Sequence, residues 1–584
     1  MESGAHPFTD RVAVLGFPDS TTRYHAHAPA PWSRETLRKV KRLGFTAVQL
    51  NLAWGARPDD DPLNLEDVVE LDPAEAARLP QVVPLNCKPG SEARERRRRN
   101  LRDRLGLATA EGMRTIFHFG APYNAHARYG DGPPNCLLDP AVHQRYEGLL
   151  RAFARDFPGV DDLWVYTYDQ DAWLCSEFGP CPRCLGVPLH ERLVPFLDRL
   201  RQTWLEINPS GRVWWEPWEL SAGQVYACLE RLPDRGMGFA AHANIAESMS
   251  AVATDRWLEN AAEIARQRGV PVTVEWFLGG LSEEVEPLSR LTHPVLIWRG
   301  LSRIAGLPGV GGIKEYYGIL PDREDPNLRM TSIFLAEPSL SEADALRRLA
   351  RPYGAAGPAV IRFWQAASVA MARYPWDLSW MARQVGRSAT DHSLHAAIIR
   401  PMLCPTPSWQ STRGTVFIRT EDTDSHPWLL EDAQLRFQQA AACWSAAVRL
   451  AEEAEPAVPP ELKPDLRACR DDTDRIRRRA LAYSCHLRAT CISLSLRRRQ
   501  QQGLPLPPSS LKELDAVLRE SRANHAEECA ASAPVGRGSV AGTAWPEMDQ
   551  ALADLARDPR EFLGRWLTAQ PDRASRGTFS LTSV

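Results

Sequence analysis

Between residues 11 and 318 one pattern recurs eight times: a short apolar run, a polar or aromatic tip, then a helical segment. The runs occupy residues 12–17, 47–52, 115–119, 163–168, 213–215, 237–241, 272–276 and 312–316. Alternating strands and helices favour a parallel sheet, and eight such units can close it. The expected fold class is therefore α/β, a (β/α)8 TIM barrel. In that architecture chemistry sits at the C-terminal ends of the strands, which restricts where functional side chains should be sought.

Those ends are rich in acids and aromatics. The fourth run leads into Asp169, Asp171 and Trp173, and the fifth into Trp214, Trp215 and Glu216. The seventh ends in Glu275 and Trp276, and the eighth in Glu315 and Tyr316. His118 lies in the third, while His242 and Asn244 follow the sixth. Two carboxylates across a cleft can protonate a leaving group and attack, or activate water. Indoles and phenols offer apolar faces with polar edges, suited to stacking on sugar rings. Any one of these acids could equally pair with an arginine or cap a helix; four acid-bearing strand ends together point to a carbohydrate site. Asp171 is the expected general acid or acid/base, with Asp169 as its alternative. Glu275 is the expected nucleophile or general base opposite, with Glu315 in reserve. Glu216, Trp215, Trp276, Tyr316, His118, His242, Asn244 and Trp173 are expected to bind substrate. Trp214 and Trp215 are consecutive, so only one of them can face the site.

With 584 residues the chain should divide into at least two domains. Its Lys+Arg total of 70 nearly balances an Asp+Glu total of 73, which argues against nucleic acid as the main partner. No run approaches the roughly 20 apolar residues of a membrane span. Residues 1–7 lack a charged-then-apolar signal pattern. The expected location is cytoplasmic, where the 12 cysteines would be mostly reduced thiols.

Residues 59–99 form an insertion between the second strand and its helix, the kind of loop that walls a barrel's site. It ends in Arg96, Arg97, Arg98 and Arg99, interleaved with Glu92, Glu95 and Asp103 as on a solvated helix face. After Gly318 the strand pattern stops. Residues 341–350, 357–372, 431–453, 464–501 and 510–529 have helical apolar spacing, with proline-rich breaks at 456–460 and 504–508. The expected domains are a catalytic barrel over 1–325 and a helical domain over 326–584.

Cys175, Cys181 and Cys184 share the loop after the fourth strand, and Cys136 lies in the loop after the third. Neighbouring barrel loops could bring the four thiols together, and four thiolates suit a structural zinc. The alternative is a set of reduced thiols ordering a loop. No other cofactor is required.

The stretch running from Cys136 and Asp139 through Asp161, Asp162, Trp164, Tyr166, Asp169 and Asp171 to Cys175, Cys181 and Cys184 resembles barrel glycosidases of the hexosaminidase and α-glucuronidase kind. The helical tail, with Arg351, Tyr353, Gly354, Phe363 and Trp364, is similar to the domain that follows their barrels. The resemblance implies a glycoside hydrolase and a strand-four acid at Asp171. The paired Asp-Glu of hexosaminidases is replaced here by Asp169-Gln-Asp171. Two other classes compete. A metal-dependent barrel isomerase or lyase could use His118, Asp169, Glu216, His242 and Glu275 as ligands. A non-catalytic carbohydrate-binding barrel would need none of the acids for chemistry.

Overall fold

The structure, a computed structural model, describes residues 6–15, 30–51, 61–62, 64–70, 74, 92–122, 136–167, 174–217, 220–242, 256–279, 288, 290–316, 318–322, 325–375, 427–531 and 546–567. All eight apolar runs form strands: β1 (Asp10–Val14), β2 (Ala47–Gln49), β3 (Arg114–Gly120), β4 (Asp162–Thr167), β5 (Val213–Pro217), β6 (Met237–His242), β7 (Val272–Trp276) and β8 (Val310–Glu315). They pair in parallel in chain order, and β8 pairs back onto β1 to close the barrel.

The helices between them are α1 (Arg34–Arg42), α2 (Leu65–Val68), α3 (Glu92–Ala110), α4 (Pro140–Asp156), α5 (Leu189–Ile207), α6 (Ala222–Leu229), α7 (Arg256–Arg268), α8 (Pro294–Ala305) and α9 (Pro326–Ala336). Local chemistry sets their starts. The Asp139 and Asp325 side chains accept the first free amides of α4 and α9, each followed by a proline that needs no partner. Ser221 and Gln224 form a reciprocal capping box at α6.

Two expectations change here. The boundary at 325 would cut α9 from the barrel, yet α9 is the helix that follows β8. Its Phe334 packs on Phe8 at 6.2 Å and on Trp298 at 5.1 Å. The barrel unit therefore runs through Ala336. Nor is the arginine run wholly a solvated face. Arg97 is buried, 3.4 Å from buried Asp67 of α2. Arg94, also buried, donates to the Val69 carbonyl at 3.2 Å and to Glu70. The basic helix α3 thus pins α2 against the barrel.

Beyond Ala336 the described chain is helical: α10 (Glu342–Ala350), a 3-10 turn (Arg351–Ala356), α11 (Gly357–Arg373), α12 (Pro427–Ala454), α13 (Lys463–Gln501), α14 (Pro508–Ala531), α15 (Pro546–Arg557) and α16 (Pro559–Leu567). The proline-rich breaks fall between α12 and α13 and between α13 and α14, as the sequence implied. Tyr374 meets Phe437 edge-on at 5.6 Å and Phe437 stacks on Tyr483 at 4.9 Å, joining the end of α11 to α12 and α13. The helical region meets the barrel where the Arg290 amide donates to Asp472 at 2.8 Å. Among the described residues no helix is long and apolar enough to cross a membrane.

Strand alternation decides which side chains reach the interior. Val12, Ala47, Ile116, Trp164, Trp214 and Ala240 form one cluster inside the barrel. In register with it, one layer higher, stand Tyr166 beside Glu216 and Glu275 beside Lys314. The residues between them face the helices. Room inside is tight: a Cβ on Gly120 would sit 2.4 Å from the Tyr166 ring.

Candidate active site

Glu216 is the upper inward residue of β5 and is buried. Its Oε2 accepts from the Trp164 indole at 2.5 Å. His118 Nε2 lies 2.9 Å from the same oxygen. Burial holds the His118 imidazole below its usual range, although Glu216 pulls it upward, so the ring is neutral near pH 7. Both of these nitrogens on Glu216 therefore belong to neutral groups. The His118 ring is seated by β2 and β4: Gln49 Nε2 lies 3.4 Å from its Nδ1, and Tyr166 meets it edge-on at 5.3 Å. Asn51 accepts from the His118 amide at 2.8 Å and donates back to its carbonyl at 2.6 Å.

Glu275 on β7 has a different neighbour. Its Oε1 accepts from the Lys314 ammonium, and both side chains are fully buried. Lys314 also stands over the Trp164 ring, 5.0 Å from its centroid. Trp164 thus touches both halves of the site, its N–H on Glu216 and its face on Lys314. Glu275 and Lys314 both act on the charge of His118, so the two carboxylates share one electrostatic environment. Among the described residues the upper layer of the barrel interior thus holds Glu216 beside neutral groups and Glu275 paired with a cation.

Several expected site residues lie elsewhere. Trp215 faces the helices, its indole donating to Thr167 Oγ1 at 3.0 Å and its ring 5.8 Å from Phe239. Trp276 also faces outward, so close to α8 that a Cβ on Gly300 would stand 1.9 Å from it. Neither can wall the pocket, because each is the immediate neighbour of an inward residue, Glu216 or Glu275, and so points to the other side of its strand. Glu315 shares that parity and cannot serve as the reserve catalytic partner. Its Oε2 accepts the amides of Leu278 and Gly279 at 2.8 and 3.0 Å, and its Oε1 that of Gly318 at 3.1 Å. It staples the turns after β7 and β8. Tyr316, two residues past Lys314, lies edge-on to Phe277 at 5.3 Å. Asp169, Asp171, Trp173 and Asn244 lie outside the described residues, as does the side chain of His242, whose backbone pairs with Glu275. Sequence reasoning missed Lys314 and Trp164. A lysine inside an apolar strand, in register with a strand-end glutamate, was the available signal.

The cysteine expectation has a geometric answer. The sulfurs of Cys136, Cys175, Cys181 and Cys184 all lie within 4.8 Å of one another, near enough to hold a metal. Cys136 stands 3.5 Å from Cys184 and 3.8 Å from Cys181. These separations are far longer than a disulfide bond of about 2.05 Å. Burial raises the Cys184 thiol to about 11. Burial also works upward on Cys181, but the amides of Cys184 and Arg183 and neighbouring thiols donate to it and bring it down to about 7. Among the described residues this is the one set of three or more His, Cys, Asp or Glu brought into ligand range. Among the described residues His118, Glu216 and Glu275 do not form such a set; Asp169 and the His242 side chain, the other ligands of the metal-dependent reading, lie outside the described residues.

No family model and no curated protein matches the sequence. Its structure is similar to that of a GH138 enzyme targeting pectin rhamnogalacturonan II, with a TM-score of 0.63 and 11% identity over 96% of this chain and 68% of that one. Lower similarity links it to a mutant of the Thermobaculum terrenum O-GlcNAc hydrolase (TM-score 0.41, 12% identity, 96% of this chain and 95% of that one). CpGH84B follows at TM-score 0.36 and 10% identity, over 88% of this chain and 74% of that one. At such identities the likeness is one of fold: a (β/α)8 barrel, as found in glycoside hydrolases, continued by helices.

Proposed function

We propose that the protein is a glycoside hydrolase working through paired carboxylates at the upper layer of its barrel. The observation that carries this reading is the asymmetry between Glu216 and Glu275. Two carboxylates held by different partners can divide acid and base roles. Glu216, buried beside a neutral indole and a neutral imidazole, is assigned as the acid that gives a proton to the leaving oxygen. Glu275, held in contact with Lys314, is assigned as the nucleophile or general base. Trp164 and His118 orient the acid, and Lys314 positions its partner. The assignment of Glu275 follows the sequence reading; that of Glu216 replaces a substrate-binding role with a proton-donating one. A structural zinc in the four-cysteine cluster completes the proposal.

The test is a panel of aryl and natural glycosides offered to the wild type and to Glu216→Gln, Asp171→Asn and Glu275→Gln, each checked for folding. Loss of roughly 10²–10⁴-fold in turnover for Glu216→Gln and Glu275→Gln is expected. If Asp171→Asn alone abolishes turnover, the proton donor lies on the loop after β4 and not on β5. If the wild type binds sugars but cleaves none, the protein is a carbohydrate-binding barrel.

A further inference from the structure

We propose that the zinc clamps the loops following β3 and β4 to each other across the barrel rim. This rests on the metal assignment made above and adds what the metal does. Cys136 comes from the β3 loop, immediately before Asp139 caps α4, whereas Cys175, Cys181 and Cys184 come from the β4 loop ahead of α5. One ion bound to all four therefore joins two elements that are distant in sequence.

The spacing suits a single ion. A zinc–sulfur bond of about 2.3 Å in tetrahedral geometry places sulfurs about 3.8 Å apart. The contacts of 3.5 and 3.8 Å, within an overall spread of 4.8 Å, match that figure. An iron–sulfur cluster would need space for its inorganic core between the ligands. Four thiolates also fill the tetrahedron, leaving no open position for substrate or water, so the site is structural rather than catalytic.

The local structure shows why a clamp is needed. Leu174 anchors the β4 loop in the core, but beyond Cys175 the loop has little apolar anchorage, since Phe178 and Leu185 are 75% and 63% exposed. Small units that cannot build a core commonly rely on a metal. The turn is shaped for it: the amides of Cys184 and Leu185 close onto the Cys181 carbonyl at 3.1 and 3.0 Å. Gly186 takes φ +72°, a left-handed conformation that glycine adopts without strain, and its amide reaches the Glu177 carbonyl at 2.9 Å. Polar ties run in parallel with the sulfurs. Arg183 reaches Asp139 of the β3 loop at 3.0 Å, and buried Arg192 donates to the Cys175 and Val187 carbonyls at 2.6 and 3.0 Å. The segment carrying Asp169 and Asp171 joins the end of β4 to Cys175, so the clamp fixes one end of it.

The test uses the full chain expressed with zinc, iron and cobalt all supplied. Elemental analysis should find about one zinc per chain, and cobalt exchange should give the strong visible bands of a tetrahedral tetrathiolate site. A metal-free protein, or one with an iron–sulfur chromophore, overturns the zinc assignment. Hydrogen exchange then tests the clamp. Chelator in the presence of reductant should speed amide exchange roughly tenfold or more in both 136–143 and 174–188, and zinc should restore it. Cys136→Ser, which cuts the β3 tie alone, should loosen 136–143 while the barrel strands stay protected. If zinc is bound but its removal loosens only 174–188, or neither segment, the clamp is refuted while the zinc assignment stands. Neither readout depends on turnover.

Discussion

Lys314→Met is the substitution that most sharply separates the two roles of the buried pair. Lys314 and Glu275 are both fully buried and in contact, and the Lys314 ammonium, at the end of its apolar stem, stands over the Trp164 ring. Methionine keeps most of that apolar stem but removes the ammonium. Leaving one member of a buried pair uncompensated costs about 3–5 kcal/mol, so the single variant should lose that much stability. Adding Glu275→Gln removes the stranded charge and should recover most of the loss, since an apolar or neutral replacement of a whole buried pair is often near neutral. The assay is urea unfolding of the four members of the double-mutant cycle, followed by tryptophan fluorescence, with turnover measured on each folded variant. The coupling between the two sites should therefore reach at least about 2 kcal/mol, toward or above the upper end of the roughly 0.5–3 kcal/mol found for groups in contact. The double variant should be folded yet inactive. Single effects below about 1 kcal/mol that simply add would refute the claim that this pair is an energetic unit.

Gly300→Ala should destabilise the protein by about 1–3 kcal/mol in chemical denaturation, because the new methyl would overlap Trp276. The gain of about 1 kcal/mol in helix propensity that alanine normally brings is too small to offset this; an unchanged or raised midpoint would count against the close packing of α8 on β7. Asp472 is pushed up to about 6 by burial at the junction with the helical region. The folded state therefore holds its proton more tightly than the unfolded one, and stability is lost as pH rises from about 4 to about 6. Asp472→Asn should be more stable than wild type at pH 7, by up to about 3 kcal/mol, and equal to it near pH 4. A difference that does not change with pH would contradict this.

The sequence showed the barrel clearly because apolar runs and helical spacing are local signals. The C-terminal helices were legible for the same reason, and their expected bounds fall within a few residues of α10 to α14. α9 was assigned to the wrong unit because a barrel helix and a tail helix share one apolar period; only contacts such as Phe334 on Phe8 tell them apart. Strand ends were read correctly as acidic and aromatic, but parity was not fixed. Inside and outside alternate at every residue, so Trp215, Trp276 and Glu315 read as rim residues although they face the helices. One anchor would have resolved it: with Trp164 inside, pairing carries the inward set through Trp214 and Glu216 on β5. The cysteine cluster was visible because successive barrel loops are neighbours. Burial of Arg97 was not, since interleaved charges look alike on a solvated face and at a paired, buried one.

The central claim, a carboxyl that gives its proton to a departing sugar oxygen, is tested most directly by how Glu216→Gln responds to the leaving group. Glu216 has neutral neighbours, so glutamine should preserve the fold. On a natural glycoside, whose alkoxide leaves poorly without a proton, the variant should lose about 10²–10⁴-fold in kcat/KM. On an aryl glycoside with an acidic phenol, which needs no proton to depart, most of that loss should disappear. A variant that matches the wild type on both substrates, or loses the same factor on both, would contradict the assignment of Glu216 as the acid.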